Sequence, residues 1–345
     1  ALPEEALERA AVLNMAQEDF PFGANLFAQG SLSTEVARTQ AVQRIKHVFD
    51  IFWPEVMKQQ YAPQYLHYAT RVMLDNPGST LYDLRRFLLN GEYRAQLLRN
   101  VREPSVRDYW EREYNPLKRD TQVSRSRPLL NRWHLLTASP LLRNIICQPT
   151  GIDFRAAIER HEVLFIKLPT TTMETDAVMV GTVLMGQIDA ATFSFGNLPP
   201  DKRPGFSLYV DEFQTVATSD FEKLFSQGRK FGLRMVVSHQ RRDQLSTELQ
   251  SATQSAWTKV VFRVTPDDSR KLAQIFPVAA GRPKPEDIHP YPCDYLMSHT
   301  HLIRDPGAQA FVEYYLLPLQ GGRSSHGQVM IHDAEFRTEE FFTST

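Results

Sequence analysis

The chain has 345 residues, 42% of them hydrophobic and 11% aromatic, enough apolar side chain to build one large or two ordinary cores and too much for a disordered chain. A net charge of −1 decides nothing about a nucleic-acid partner, because only the surface that meets phosphate has to be basic. The two cysteines, Cys147 and Cys293, stand outside any CxxC or Cys/His cluster, so neither a zinc site nor a disulfide framework is indicated, and a reducing compartment fits. No run approaches about 18 consecutive apolar residues, so no membrane-spanning segment is expected from the pattern.

Residues 1–33 are a mixed lead-in whose PFGANLF segment, Pro21 to Phe27, reads as a loop. From Thr34 to about Tyr114 the pattern is helical: Ile45, Val48, Phe49, Phe52 and Val56 repeat at helical spacing, with Pro54 interrupting and Asn76-Pro77-Gly78 making a turn. Ser79 or Thr80 is placed to cap the next helix, Asp83 to Leu89, which Asn90-Gly91 would end. Pro116 to Asn144 carries Lys118, Arg119, Arg125, Arg127, Arg132 and Arg143 against Asp120 alone, interleaved with Trp133 and His134. Such a run is either a solvated face or a contact to phosphate, and both readings stay open.

Beyond this point strands alternate with helices. EVLFIKLP, Glu162 to Pro169, reads as a strand and Asp176 to Phe193 as a helix. The run FSLYVDEFQ, Phe206 to Gln214, is a strand that ends in two carboxylates. An amphipathic stretch follows, Phe221 to Phe231, with Gly232 as its stop and a second apolar strand, Leu233 to Val237, ending in Ser238-His239-Gln240. Asp243 to Ala256 reads as a helix and Thr258 to Val264 as a further strand. This alternation implies right-handed crossovers and a parallel sheet with helices on both faces, whose strand ends share one rim and carry Asp211, Glu212 and Gln240 together.

Two adjacent carboxylates at such a rim suit nucleotide hydrolysis: one holds Mg²⁺, directly or through water, and the other polarises the attacking water. The plainer reading is a strand that ends in acids because the chain meets water there. GxxxxGK[ST] occurs nowhere in the sequence; Gly321-Gly322 lies in a polar loop and Gly228-Arg229-Lys230 inside a predicted helix.

VDEFQ (Val210 to Gln214), GRKFGL (Gly228 to Leu233), SHQ (Ser238 to Gln240) with Gln244-Leu245, and FRVTPDD (Phe262 to Asp268), in that order, resemble the HerA/FtsK-like hexameric ATPases, within them the coupling-protein branch of conjugation and type IV secretion (VirD4, TraG and TraD relatives). The resemblance implies a RecA-like P-loop ATPase core, α/β with a parallel sheet flanked by helices, carrying an all-α insertion. It divides the chain into a lead-in (1–33), the all-α insertion (34–115), the motor core (116–320) and a tail (321–345), the resemblance fading after Phe276. It makes Asp211 and Glu212 the Walker B pair with Asp211 on Mg²⁺, Gln240 the γ-phosphate sensor, and Arg229, with Arg263 as runner-up, a finger toward a neighbouring subunit's nucleotide. His239 would pack or orient Gln240. The phosphate loop of this family precedes everything seen here, so the chain is expected to be the later portion of a longer protein and not to hydrolyse ATP efficiently as it stands. The implied function is ATP-driven DNA translocation by a hexameric ring at the cytoplasmic face of the membrane, with ATP and Mg²⁺ as cofactors and DNA, relaxosome or secretion-channel proteins as partners. The alternative is a non-catalytic ring or adaptor subunit.

Overall fold

A computed structural model describes residues 4–28, 34–216 and 219–256, together with 258–259, 265, 267–268, 271–272, 303–304 and 311–312. The chain divides into two compact units, one of Ala1–Phe206 with Lys230–Leu233 and one of Ser207–Arg229 with Arg234–Thr345.

The first unit opens with a short helix, α1 (Glu4–Leu7), and a strand, β1 (Ala10–Asn14). A nearly continuous helical array follows: α2 (Glu35–Phe52), α3 (Pro54–Met57), α4 (Ala62–Leu74), α5 (Leu81–Leu89), α6 (Gly91–Leu98), α7 (Pro104–Asp108), α8 (Arg119–Ala138), α9 (Pro140–Ile146) and α10 (Phe154–Glu159). The sequence punctuates it legibly. The Thr34 hydroxyl accepts from Ala37 N–H at the start of α2, and Pro54 opens α3 where its missing N–H costs nothing. Thr80, of the two candidates, caps α5: its hydroxyl accepts from Tyr82 N–H at 3.2 Å, while Asp83 accepts from Thr80 N–H at 2.7 Å in a capping box. Asn90 ends α5 and caps α6. Ile45, Val48, Phe49 and Val56 are buried as their spacing requires, and Phe52 is half-buried.

Tyr109–Tyr114 forms a π-helical turn that turns Tyr109, Trp110 and Tyr114 inward, where Tyr65 and Phe87 pack edge-on against them. Much of the basic run lies in α8, which accommodates Pro128 within its length, and Trp133 there donates from its indole to Leu81 O at 2.6 Å. The array is tied by ion pairs. Arg38 and Arg102 both reach Asp75, whose side chain is 2% exposed, and Arg71 bridges Glu35 and Glu103.

The predicted loop Pro21–Phe27 has no regular structure but is buried. Asn25 pins it, donating to Ser79 O at 2.9 Å while its carbonyl accepts from Gln187 Nε2 at 2.9 Å. A Cβ on Gly23 would stand 2.4 Å from Thr150 O, so only glycine lets the two backbones meet.

The strand predicted at Glu162–Pro169 is β2 (Val163–Lys167), and it pairs in parallel with β1, from Ala10 opposite Val163 to Asn14 opposite Lys167. β1 was not legible as a strand in the lead-in. Next comes α11 (Glu174–Ser194), buried around most of its circumference. It is the one helix among the described residues long and apolar enough to cross a membrane, although no run of apolar residues suggested one; 72% of that window is buried in this fold, as for a core helix of a globular protein.

β3 (Phe206–Val210) and β4 (Leu233–Val237) form a second sheet. Phe206 N–H donates to Gly232 O, and Ser238 N–H to Val210 O, each at 3.0 Å; both sequences advance together, so the strands are parallel. The connection runs through α12 (Ser219–Gln227) and a 3₁₀ turn, Gly228–Phe231, stopped by Gly232 at φ +92°. Helix α13 (Thr247–Gln254) follows β4 and packs on α12. It is shorter than the predicted Asp243–Ala256, because Arg242–Gln244 is a 3₁₀ turn and Ser246 caps the helix proper. The fold class expected from the alternation therefore stands, with one correction. Among the described residues the strands do not hydrogen-bond as one sheet; they form parallel pairs β1–β2 and β3–β4, with a short antiparallel bridge at 303–304 and 311–312. The strand predicted at Thr258–Val264, with Arg263, lies mostly outside the described residues, as do Cys293 and the tail beyond 312.

Candidate functional site

The C-terminal ends of β3 and β4 bring Asp211, Glu212 and Gln240 into one hydrogen-bonded cluster. Because the strands are parallel and paired in register, the residues just past Val210 face those just past Val237. Phe213, fully buried, anchors the turn: its N–H donates to Ser238 O at 2.9 Å, and its ring packs edge-on against Phe221 of α12. Glu212 adopts a left-handed backbone, φ 48° and ψ 44°. A side chain with a Cβ pays for that conformation, and such strain gathers where geometry is fixed for a task. Thr215 holds the turn from the other side, its hydroxyl donating to Glu212 O at 2.7 Å.

The Glu212 carboxylate accepts two amide donors, Gln240 Nε2 on one oxygen at 2.8 Å and Gln214 Nε2 on the other. Asp211 accepts from the Ser238 hydroxyl and from Glu212 N–H. Gln240 is exposed, on the loop past the strand rather than at a buried strand end as its motif suggested, and Asp211 is exposed beside it. Both carboxylates are thus oriented by hydrogen bonds.

Behind the loop stands Arg242, 6% exposed, its guanidinium donating to Gln250 O at 3.1 Å and its backbone N–H to the buried Asp268 at 3.3 Å. Burial pushes the Arg242 pKa down, with Asp268 opposing. Burial, and then the Arg242 charge, push His239 below its ordinary 6.5, so its imidazole is neutral at pH 7 and packs beneath the loop. Arg229 is exposed on the 3₁₀ turn before β4. That places it at the opposite end of the strand from the cluster, roughly 16 Å away for five residues of strand rise.

Sequence reasoning quoted Ser238 and Gln214 within motifs and gave them no role. The signal was thin: Gln214 lies two residues past Glu212 on a turn whose shape no spacing reveals, and Ser238 reaches Asp211 across 27 positions. Asp211 and Ser238 offer hard oxygen donors of the kind Mg²⁺ takes when nucleotide phosphates and water complete its shell. Among the described residues there is no group of three or more His, Cys, Asp or Glu able to hold a metal alone.

A strand–helix–strand unit with paired carboxylates at the shared strand ends defines the class of fold: a RecA-like α/β core. No protein-family model matches the chain, and no curated protein matches its sequence. Solved structures do. The chain is similar to the bacterial conjugative coupling protein TrwB in its unbound monoclinic form, with a TM-score of 0.53 at 14% identity over 91% of this chain and 74% of that one. It is equally similar to the plasmid coupling protein TrwB in complex with the non-hydrolysable GTP analogue GDPNP (TM-score 0.54, 15% identity, 91% and 75%) and with the ATP analogue ADPNP (0.53, 14%, 91% and 75%). The chain has the coupling-protein fold.

Proposed function

We propose that this chain is the hydrolytic part of an ATP-driven DNA translocase, a coupling ATPase of conjugative transfer or type IV secretion. The observation that carries the reading is the cluster of Asp211, Glu212 and Gln240 at the C-terminal ends of two parallel strands, in a fold shared with a coupling protein solved with ATP and GTP analogues. In this reading residues 34–115 are the all-α insertion, 116–320 the motor core and 321–345 a tail. The protein works as a homo-oligomeric ring, a hexamer by family pattern, at the cytoplasmic face of the cell membrane, on DNA delivered by relaxosome proteins to a secretion channel.

Bound MgATP supplies the phosphoryl group that passes to water. Asp211, steadied by Ser238, would hold the Mg²⁺ of that nucleotide. Glu212, steadied by two amides, accepts a hydrogen bond from the attacking water and orients it in line. Gln240 already touches Glu212 and sits on an exposed loop, so exchanging that contact for a γ-phosphate oxygen couples nucleotide state to loop position. Arg229, at the far end of β4, serves a neighbouring subunit's site.

The test is complementation in assembled full-length protein. Rings mixing Arg229→Ala with Glu212→Gln subunits contain interfaces with one intact arginine and one intact carboxylate, and DNA-stimulated ATP hydrolysis recovers above either variant alone. An arginine finger is worth about 10³-fold or more, so partial recovery is measurable. Rings that assemble, bind DNA and show no ATP turnover even when unaltered would replace this reading with the adaptor one.

A further inference from the structure

We propose that Gln214 is a positioning residue for Glu212, the fixed one of the two amides that hold it. The inference rests on the hydrolytic reading above and adds a residue to that site. Gln214 and Gln240 both donate to the Glu212 carboxylate, one to each oxygen, yet they sit on different supports. Gln240 is exposed on the loop after β4, and its proposed task takes it away to the nucleotide. Gln214 lies within the 3₁₀ turn Phe213–Thr215, clamped by the buried Phe213, by Phe213 N–H on Ser238 O and by Thr215 on Glu212 O. When Gln240 leaves, Gln214 is what keeps the carboxylate from swinging.

A second observation points the same way. The Gln214 carbonyl oxygen is buried and has no hydrogen-bond partner. A buried amide oxygen cannot turn outward without bringing its amide nitrogen, and the hydrogen bond to Glu212, with it. An amide that gives its N–H to the carboxylate while its oxygen lies buried is held in one orientation and so fixes the carboxylate plane. The left-handed backbone of Glu212 makes this possible, since it folds the carboxylate toward the side chain two residues on.

Gln214→Met in the full-length protein tests this, because it keeps length and volume and removes both polar atoms. Hydrolysis of MgATP in the presence of DNA is measured in the Glu212 and in the Glu212→Gln background. The expected result is a fall in kcat of about 10- to 100-fold with KM for ATP within about 2-fold, and no further fall when Glu212→Gln is already present, since Gln214 acts through Glu212. The melting midpoint stays level or rises, as a buried unpaired oxygen has gone. An unchanged kcat, or equal falls in both backgrounds with a lowered midpoint, shows an ordinary packing residue and overturns the inference while the hydrolytic reading stands. If Glu212→Gln itself leaves turnover unchanged, or the unaltered protein has none, the reading and the inference fall together.

Discussion

Gly232→Ala isolates the joint that sets the β3–β4 register. Gly232 stands at φ +92°, beyond the small left-handed region open to residues with a side chain, and its carbonyl accepts from Phe206 N–H at 3.0 Å. A Cβ there would lie 2.3 Å from Pro204 O and 3.1 Å from Pro204 C, both backbone atoms that cannot rotate away. The conformation alone costs about 1–2 kcal/mol. Relieving the contact means retreating by roughly 1 Å and losing most of a backbone hydrogen bond worth about 1 kcal/mol, so the total is about 2–3 kcal/mol. For a unit of this size each kcal/mol moves the melting midpoint by about 2–4 °C, which gives a drop on the order of 10 °C. Circular-dichroism melting and a urea titration of the same variant measure it. Two controls bracket the argument. Gly205→Ala, whose Cβ meets nothing nearer than 4.0 Å, changes little. Gly186→Ala, inside α11 with nothing within 4 Å, gains about 0.5–1 kcal/mol from helix propensity. A Gly232→Ala midpoint within about 2 °C of the unaltered protein would refute the reasoning.

Three further outcomes are expected. Gln240→Ala reduces DNA-stimulated hydrolysis more than nucleotide affinity, measured by turnover and by titration with a non-hydrolysable analogue; a fall in affinity alone would make Gln240 a binding residue. Asp75→Asn removes the close partner of Arg38, whose side chain is 8% exposed, and leaves it only the longer 3.7 Å contact to the exposed Glu35; the cost is about 1–3 kcal/mol by urea melts, whereas replacing both Arg38 and Asp75 with apolar residues recovers most of it. The hydrogen bond from Arg71 holds the Glu35 carboxyl below its ordinary 4.5, so its contribution is fully present above that value and is lost as pH falls through the lower folded-state value. Glu35→Gln therefore flattens the acid limb of stability against pH and leaves the neutral region little changed, as suits a side chain 64% exposed.

What the sequence showed, it showed where local chemistry decides the outcome. Thr34, Thr80, Asn90 and Gly232 punctuate the chain as their side chains, or the lack of one, dictate, and the apolar runs at 163–167, 206–210 and 233–237 are strands. The proximity of Asp211, Glu212 and Gln240 was legible because parallel strands place their C-terminal ends together. The rest depends on tertiary partners. β1 is AAVLN, short and with two alanines among its five residues, and becomes a strand by pairing with β2 some 150 positions away, which no window of residues reveals. The π-helical turn at Tyr109–Tyr114 is fixed by the aromatic cluster it enters, and the ability of α8 to carry Pro128 by the packing around it. The amide clamp on Glu212 needed the left-handed turn, a backbone state that glutamate rarely signals in advance.

The central claim, that Glu212 activates water at a nucleotide whose Mg²⁺ Asp211 would hold, is tested most directly by Glu212→Gln in the full-length protein. The amide fills the same volume but cannot accept the proton. The account predicts that affinity for MgATP stays within about 3-fold while hydrolysis falls by about 10²–10⁴-fold. Turnover equal to that of the unaltered protein, with nucleotide bound as before, would contradict it.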